Sequence, residues 1–271
     1  MSEIGDERLK PLPPPEKRSR TRLRWWAWLL IALGVLLVVA VLGFVIWAES
    51  PLGPMAEAVA ALDSNEEVTV LHDDLIVFRP TGEMVETGLI FYPGARIDPV
   101  SYAPAMRALA AQGFLAVIAP MPLNLAVLDS DKALGVMDGF PEIGRWAVGG
   151  HSLGGAMAAA FVASHPDTAD GLALWAAYPP SGSDLSAWGG GVTSISATSD
   201  GLTTPDDIAR TTPLLPANTE FVVIEGGNHA QFGWYGEQGG DGVPTISREV
   251  QQEQIVVATL ALLQTLAEEA D

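Results

Sequence analysis

The feature that most constrains this 271-residue chain is a run of 23 residues without a charge, from Trp25 to Trp47. As a helix with a rise of about 1.5 Å per residue, it would extend about 34 Å, enough to cross a hydrocarbon core of about 30 Å. Tryptophans occupy both of its ends, where indole rings favour the membrane interface. The run therefore predicts one transmembrane helix over residues 25–47.

Charge is distributed unevenly on the two sides of this run. Residues 1–24 contain seven basic and four acidic residues, whereas residues 48–271 contain seven basic and 29 acidic residues. Because basic segments are retained in the cytoplasm, we expect a single-pass protein of the cell membrane, with a cytoplasmic tail at 1–24 and the remainder outside the cytoplasm. A cleaved signal peptide is the alternative, although its apolar region is normally about 7–15 residues long.

Composition excludes several classes of protein. The net charge of −22 beyond residue 47 disfavours a nucleic-acid partner, because the folded part would repel phosphate, and it favours neutral or cationic substrates over anions. With 48% apolar residues the chain is not disordered. The absence of cysteine rules out disulfides, thiolate metal sites and a cysteine nucleophile.

Apolar patterning predicts the fold class. Residues 48–65 are expected to be a linker with a short helix at 55–63, and the runs 68–71 and 75–78 an antiparallel pair. Further strands are predicted at 89–92, 114–118, 146–149, 172–175, 192–197 and 221–224, and helices at 101–112, 125–137, 153–164, 205–211 and 247–268. Continuous apolar strands alternating with helices predict an α/β domain over 66–271, with a mostly parallel sheet covered on both faces.

A short glycine-rich motif joins the strand at 146–149 to the helix at 153–164. It reads Gly-His-Ser-Leu-Gly, from Gly150 to Gly154, which in this context is typical of a nucleophile elbow. Side chains at Gly150 and Gly154 would collide in such a turn, so Ser152 is the predicted nucleophile. A phosphate-binding loop is the alternative, but no lysine follows and the domain is acidic.

A serine nucleophile needs a base and an acid to orient it. His229 follows the strand at 221–224, and Asp200 follows the strand at 192–197, so both are expected at the carboxyl edge of the sheet. The other histidines are expected on the surface, in the elbow or at a helix end: His72, His151 and His165. The rival acids are two residues at a predicted helix start and one loop residue: Asp206, Asp207 and Glu225.

The oxyanion formed in acyl transfer needs two N–H donors. Leu153 directly follows the nucleophile and supplies the first. The second is expected from the loop after the strand at 89–92. Ala95 is the choice there, because Pro93 has no N–H and Gly94 permits a close approach. A plain Pro-Gly turn is the alternative.

Four motifs in chain order carry a resemblance to a known family: Tyr92–Ala95, Gly150–Gly155, Thr198–Gly201 and Gly227–Gly233. Together they resemble the α/β-hydrolase superfamily, most of all its dienelactone-hydrolase-like group of small lidless members, α/β-hydrolase family 5. The resemblance covers about residues 66–268. It implies an α/β-hydrolase fold and cleavage of ester bonds without a cofactor. Dienelactone hydrolases proper use a cysteine nucleophile, and this chain has serine.

The segment between the strands at 172–175 and 192–197 is too short for a helical lid, so an open site is expected. Aromatic residues near the motifs are candidates for an apolar pocket, with core packing as the alternative: Trp175, Tyr178, Trp188, Phe232 and Trp234. The loop 233–242 is expected to rim the entrance. Its aspartates and glycines lack the EF-hand spacing, so no metal site is predicted.

The sequence therefore predicts a membrane-tethered serine hydrolase that cleaves small carboxylic esters through an acyl-enzyme. Two other functions remain open at this point. One is an acyltransferase acting on cell-envelope components, and the other is an inactive hydrolase fold that serves as a binding module. No cofactor and no obligate protein partner are evident from the sequence.

Overall fold

The computed structural model describes residues 24–269, so the predicted tail at 1–24 lies outside the described residues except for Arg24. The chain divides into two compact units, one ending at Phe44 and the other beginning at Val45. Helix α1 (Trp25–Ala48) is long and apolar enough to span a membrane, a property that it shares with signal sequences.

The second unit is built on one eight-stranded sheet with the order β1-β2-β4-β3-β5-β6-β7-β8. Its strands are β1 (Val68–His72), β2 (Ile76–Pro80), β3 (Val85–Tyr92), β4 (Phe114–Ile118), β5 (Arg145–His151), β6 (Gly171–Trp175), β7 (Gly191–Ala197) and β8 (Glu220–Ile224). Strand β2 runs antiparallel to both β1 and β4, and all other neighbours are parallel. The predicted α/β class with a mostly parallel sheet is confirmed.

Helices cover both faces of this sheet. They are α2 (Ala56–Ala60), α3 (Ala103–Ala110), α4 (Lys132–Gly139), α5 (Leu153–Ser164), α6 (Pro205–Thr211) and α7 (Arg248–Glu268). Alternate residues of β3 enter two separate cores, because successive side chains of a strand point to opposite faces. Phe91 packs in one core with Leu263 of α7, and Ile90 packs in the other with Phe161 of α5.

One predicted helix is wrong over much of its length. The pattern predicted a helix at 125–137, but α4 begins only at Lys132, after a short 3₁₀ turn at Ala126–Leu128. Leu125 (φ −131°, ψ 105°) and Asp129 (φ −154°, ψ 61°) flank this turn with backbone angles far from those of an α-helix, so no α-helix runs through residues 125–129.

The chain topology gathers the predicted site at one edge. Ser152 follows β5, Asp200 follows β7 and His229 follows β8, and these strands are parallel. The loop containing Ala95 follows β3, which lies next to β5. All four segments therefore leave the sheet at its carboxyl edge, where ligands bind in open α/β sheets.

Candidate active site

Ser152 sits at a strained turn between β5 and α5. Its backbone has φ 54° and ψ −122°, a combination that a residue with a side chain rarely adopts. Its N–H donates to Trp175 O of the neighbouring strand at 3.0 Å, which fixes the turn to the sheet. Although Ser152 is the N-cap of α5, its side chain makes no capping hydrogen bond. The hydroxyl is thus available for another partner.

Two glycines make this turn possible. A Cβ on Gly150 would lie 2.5 Å from Gly154 C and 2.6 Å from Tyr92 O, closer than real Cβ atoms approach. A Cβ on Gly154 would overlap the carbonyl oxygens of Tyr92 and Pro93. The start of α5 is therefore packed directly against the loop that carries Ala95.

Asp200 and His229 form a buried hydrogen-bonded pair. His229 Nδ1 lies 2.8 Å from Asp200 Oδ2, and both side chains are almost completely buried. The other carboxylate oxygen, Oδ1, accepts the N–H groups of Leu202 at 2.8 Å and Thr203 at 2.7 Å. The carboxylate is thereby fixed in place and holds the His229 proton on Nδ1, which leaves Nε2 as an acceptor.

Nε2 of His229 is buried and has no hydrogen-bond partner within residues 24–269. No hydrogen bond joins it to the Ser152 hydroxyl in the same part of the chain. Such contacts are often loose in the absence of substrate and tighten when it binds. An unpaired acceptor at this place is what a general base requires before reaction.

The rival residues have other roles. Asp207 belongs to a capping box with Thr204 at the start of α6, and the hydrogen bond from the Thr204 side chain lowers its pKa. Glu225 is exposed. Of the other histidines, His72 is exposed at the end of β1, and His165 lies at the end of α5 with Nε2 3.3 Å from Asp131 Oδ1.

The two predicted oxyanion donors are unused within the described chain. Leu153 is the first residue of α5, and helix-terminal N–H groups have no partner inside the helix. The N–H of Ala95 likewise makes no hydrogen bond to residues 24–269, whereas Gly94 N donates to Tyr102 Oη at 3.0 Å. Ala95 and Leu153 are thus both able to donate to a bound group.

His151, the residue before Ser152 in the elbow, lies between Tyr102 and His229. Tyr102 Oη lies 2.9 Å from its Nδ1, and the His229 ring lies 4.4 Å away between ring centres. Burial, and next the neighbouring charge of His229, lower the pKa of His151 well below its usual value. The ring is therefore neutral, and Tyr102 donates to Nδ1. A chain of hydrogen bonds runs from Gly94 through Tyr102 to His151.

Asp241, which no motif in the sequence singles out, connects two loops of the candidate site. Its Oδ1 accepts the N–H groups of Gly201 at 3.1 Å and His229 at 3.1 Å, and its Oδ2 accepts that of Ala230 at 2.8 Å. One carboxylate thus joins the loop of Asp200 to the loop of His229. The predicted rim loop 233–242 contributes this side chain.

Helix α7 fixes residues 227–233, the loop that carries the predicted base His229 and that we call the base loop, from the other side. Asn228 N donates to Gln251 Oε1 at 3.0 Å, and Gln251 Nε2 donates to Asn228 O at 2.8 Å. Gln252 Nε2 donates to Gln231 O at 2.7 Å. Both glutamines are buried. The residues flanking His229 are therefore held by side chains of a single helix.

The aromatic residues that were predicted to line a pocket lie in different parts of the fold. Phe232 is buried and stacks on His151, and Tyr178 is partly exposed in the segment after β6. Trp175, by contrast, is fully buried in the core, where its Nε1 donates to Thr259. Trp188 lines a surface cavity beside Arg145, the first residue of β5. Trp188 is thus at the amino edge of the sheet, opposite the site, and does not line a pocket around Ser152.

Trp234 is also buried, and its main-chain N–H donates to Ser101 O at 2.7 Å. Ser101 precedes Tyr102, so this bond ties the segment after the base loop to the residues that support Gly94.

Between β6 and β7, residues 176–190 form turns and extended segments. No helix of the described chain lies in that segment, as its length predicted.

Comparison with known proteins agrees with this fold. The sequence profile described as "Alpha/beta hydrolase family" matches residues 88–253. No curated protein sequence matches the chain significantly.

Solved structures have the same fold at low identity. A structure described as a predicted CIB-like hydrolase from Thermoplasma acidophilum aligns with a TM-score of 0.55 at 12% identity, covering 73% of this chain and 100% of its own. A thermophilic esterase from the planctomycete Thermogutta terrifontis aligns with a TM-score of 0.52 at 15% identity, covering 74% of this chain and 92% of its own. Because the family profile covers more than half of the sequence, the chain belongs to the alpha/beta hydrolase family.

Proposed function

We propose that the protein is a membrane-anchored serine hydrolase that cleaves carboxylic esters. The observation that carries this proposal is the strained backbone of Ser152 at the β5–α5 junction, together with the buried His229–Asp200 pair on the same edge of the sheet. Family membership supports hydrolysis, and one structural neighbour is an esterase. Helix α1 is the proposed anchor.

The proposed reaction has two halves. Ser152 Oγ attacks the ester carbonyl carbon while His229 Nε2 takes its proton, and Asp200 stabilises the resulting imidazolium. The N–H groups of Leu153 and Ala95 donate to the carbonyl oxygen, which becomes negatively charged. His229 then gives the proton to the leaving alkoxide, and an acyl-enzyme remains on Ser152.

Water completes the cycle in the second half. It attacks the acyl carbonyl while His229 again takes the proton, and the same two N–H groups stabilise the second oxyanion. Collapse of this intermediate returns the proton to Ser152 and releases the carboxylic acid. The acidic charge of residues 48–271 favours neutral or cationic esters over anionic ones, more strongly at low salt.

The test uses the full chain in detergent micelles, a series of p-nitrophenyl acyl esters and a fluorophosphonate probe. Replacement of Ser152 by Ala should lower kcat by about 10⁴-fold or more and abolish labelling. Ser164→Ala, at the exposed other end of α5, is the matched control and should leave both unchanged. The proposal is wrong if the Ser152 variant hydrolyses the esters as fast as the wild type.

A further inference from the structure

Arg96, the residue after Ala95, contacts the last residues of the apolar helix and the residues that follow it. We call residues 47–52 the stalk; they belong to the same compact unit as the sheet, which begins at Val45. Arg96 Nε donates to Trp47 O at 2.7 Å, and Arg96 Nη2 donates to Ser50 O at 2.7 Å. Its guanidinium carbon lies 4.4 Å from the centre of the Trp47 ring. One side chain thus makes three contacts to the stalk.

Main-chain hydrogen bonds reinforce the same junction. Leu52 N donates to Arg96 O at 2.7 Å, and Asp98 N donates to Leu52 O at 3.0 Å, so the stalk pairs with the loop on both sides of Ile97. Arg96 N donates to Asn124 O at 2.9 Å, and Asn124 Nδ2 donates to Ala48 O at 3.1 Å. The stalk, the loop after β3 and the loop after β4 form one hydrogen-bonded cluster.

The backbone of Arg96 needs such support. Its φ of 53° lies in the left-handed region, which is unfavourable for a residue with a long side chain. A conformation of this kind persists only where its surroundings hold it. The contacts that hold Arg96 therefore fix the peptide between Ala95 and Arg96. The Ala95 N–H lies in the preceding peptide, whose carbonyl oxygen, Gly94 O, accepts the N–H of Ile97 at 3.2 Å, so the residues on both sides of Arg96 set its direction.

From this cluster we propose that Arg96 is a positioning residue for the oxyanion site, which it fixes by fastening the loop of Ala95 to the stalk. The proposal rests on the proposed function for the role of the Ala95 N–H. Arg96 does not touch the substrate; it acts through the main chain one residue away. The stalk thereby becomes part of the structure that supports catalysis as well as a connection to the apolar helix.

Arg79 provides a matched comparison within the same chain. Its Nη2 lies 2.7 Å from Glu142 Oε1, and its guanidinium carbon lies 5.7 Å from the centre of the Phe140 ring. Arg79 therefore also combines polar contacts with an aromatic ring, but it lies on β2, away from the loop after β3. Loss of Arg79 removes a similar set of contacts without disturbing the predicted oxyanion site.

The experiment compares Arg96→Ala, Arg96→Lys and Arg79→Ala in the full chain in detergent micelles. Because removal of a whole oxyanion donor costs about 10²–10³-fold in kcat, loosening one should lower kcat by about 10–100-fold in Arg96→Ala. KM should change little. Binding of an alkyl trifluoromethyl ketone, which forms a tetrahedral adduct with a nucleophilic serine, should weaken by the same factor as kcat. The kcat of Arg96→Lys should lie between those of Arg96→Ala and the wild type. The kcat of Arg79→Ala should equal that of the wild type.

Hydrogen exchange of the segment 93–98 gives a readout that does not depend on turnover. It should be faster in Arg96→Ala than in wild type and unchanged in Arg79→Ala. Equal exchange together with equal kcat in Arg96→Ala and wild type would overturn the proposal. If exchange is faster in Arg96→Ala but the wild-type protein hydrolyses no ester, the proposed function is wrong and the role of Arg96 in holding the loop stands.

Discussion

At the scale of single residues, the candidate site depends on residues whose own atoms take no part in the proposed reaction. Asp241 accepts N–H groups from the two loops that carry Asp200 and His229. Gly154 leaves room for the carbonyl oxygens of Tyr92 and Pro93. These residues act by fixing backbone, and small displacements of backbone at a reacting centre are costly.

The first prediction concerns Asp241. Its replacement by Ala leaves the N–H groups of Gly201, His229 and Ala230 without their acceptor, so the two loops lose their common support. We expect kcat to fall by about 10–100-fold with little change in KM, since misplacement of reacting groups alone can cost about 10²-fold. Asp241→Asn keeps one acceptor oxygen and should lose less. Steady-state kinetics with a p-nitrophenyl ester measures both values.

The control for Asp241 is Asp206→Ala, which removes the same charge from an exposed position on α6. Thermal unfolding of each variant shows whether it is folded. A kcat for Asp241→Ala equal to that of the control would mean that the carboxylate does not support the two loops.

The second prediction concerns pH and His151. Burial lowers the pKa of His151 well below its usual value of about 6.5. Just below pH 6.5 the unfolded chain therefore binds a proton at this residue and the folded protein does not. Above pH 6.5 neither the folded nor the unfolded protein binds this proton, so it does not affect the free energy of unfolding. Below it, the free energy of unfolding should fall by about 1.4 kcal/mol per pH unit until the folded group itself titrates.

His151→Asn tests this linkage, because an amide oxygen accepts from Tyr102 but does not titrate. The loss of thermal stability between pH 7.5 and pH 5.5 should be smaller in this variant than in wild type. His72→Asn, on the exposed end of β1, should lose as much as wild type. Identical losses in all three proteins would show that His151 does not carry the linkage.

At the scale of elements, the sequence predicted most of the sheet. Strand β4 and helices α5 and α6 have the predicted bounds, because apolar runs and stop signals coincide there. The helix at 125–137 was mispredicted, since its apolar spacing was helical but the non-helical backbone at Leu125 and Asp129 is not visible in that spacing. The contacts of Asp241 and Arg96 arise only when distant loops meet, and no local pattern encodes them.

The third prediction concerns helix α7 and the base loop. Gln251 is fully buried and makes reciprocal hydrogen bonds with the main chain of Asn228. Gln251→Leu keeps the side-chain volume but leaves one buried N–H and one buried C=O unpaired. Because each of these two unpaired groups costs about 1–3 kcal/mol, we expect a loss of about 2–6 kcal/mol in the free energy of unfolding.

Urea unfolding followed by circular dichroism measures this loss. The control is Gln254→Leu, on an exposed position of the same helix, where the side chain bonds only to Val250 O of its own helix. Equal stability of the two variants would mean that α7 does not hold the base loop through Gln251.

At the scale of the whole molecule, the proposed topology follows from helix α1 and the distribution of charge. Residues 48–271 carry a net charge of −22, whereas the basic residues are concentrated before Trp25. Basic residues resist translocation, so the sheet-containing unit is expected outside the cytoplasm.

The fourth prediction tests this topology in cells. Protease added to intact cells should degrade residues 48–271 and leave a tag at the amino terminus protected, and lysed cells should lose both. Protection of residues 48–271 in intact cells would contradict the orientation. A mature protein that begins near Ser50 and lacks the tag would show that α1 is a cleaved signal sequence.

The segment between β6 and β7 contains no helical lid, which affects what happens to the acyl group of the proposed intermediate. Residues 176–190 contribute no helix above Ser152, which is itself partly exposed. An active site that closes over a reactive intermediate protects it from hydrolysis. In the proposed reaction no helix of residues 176–190 would shield an ester on Ser152 from water, so we expect its release to water to outpace its transfer to an alcohol.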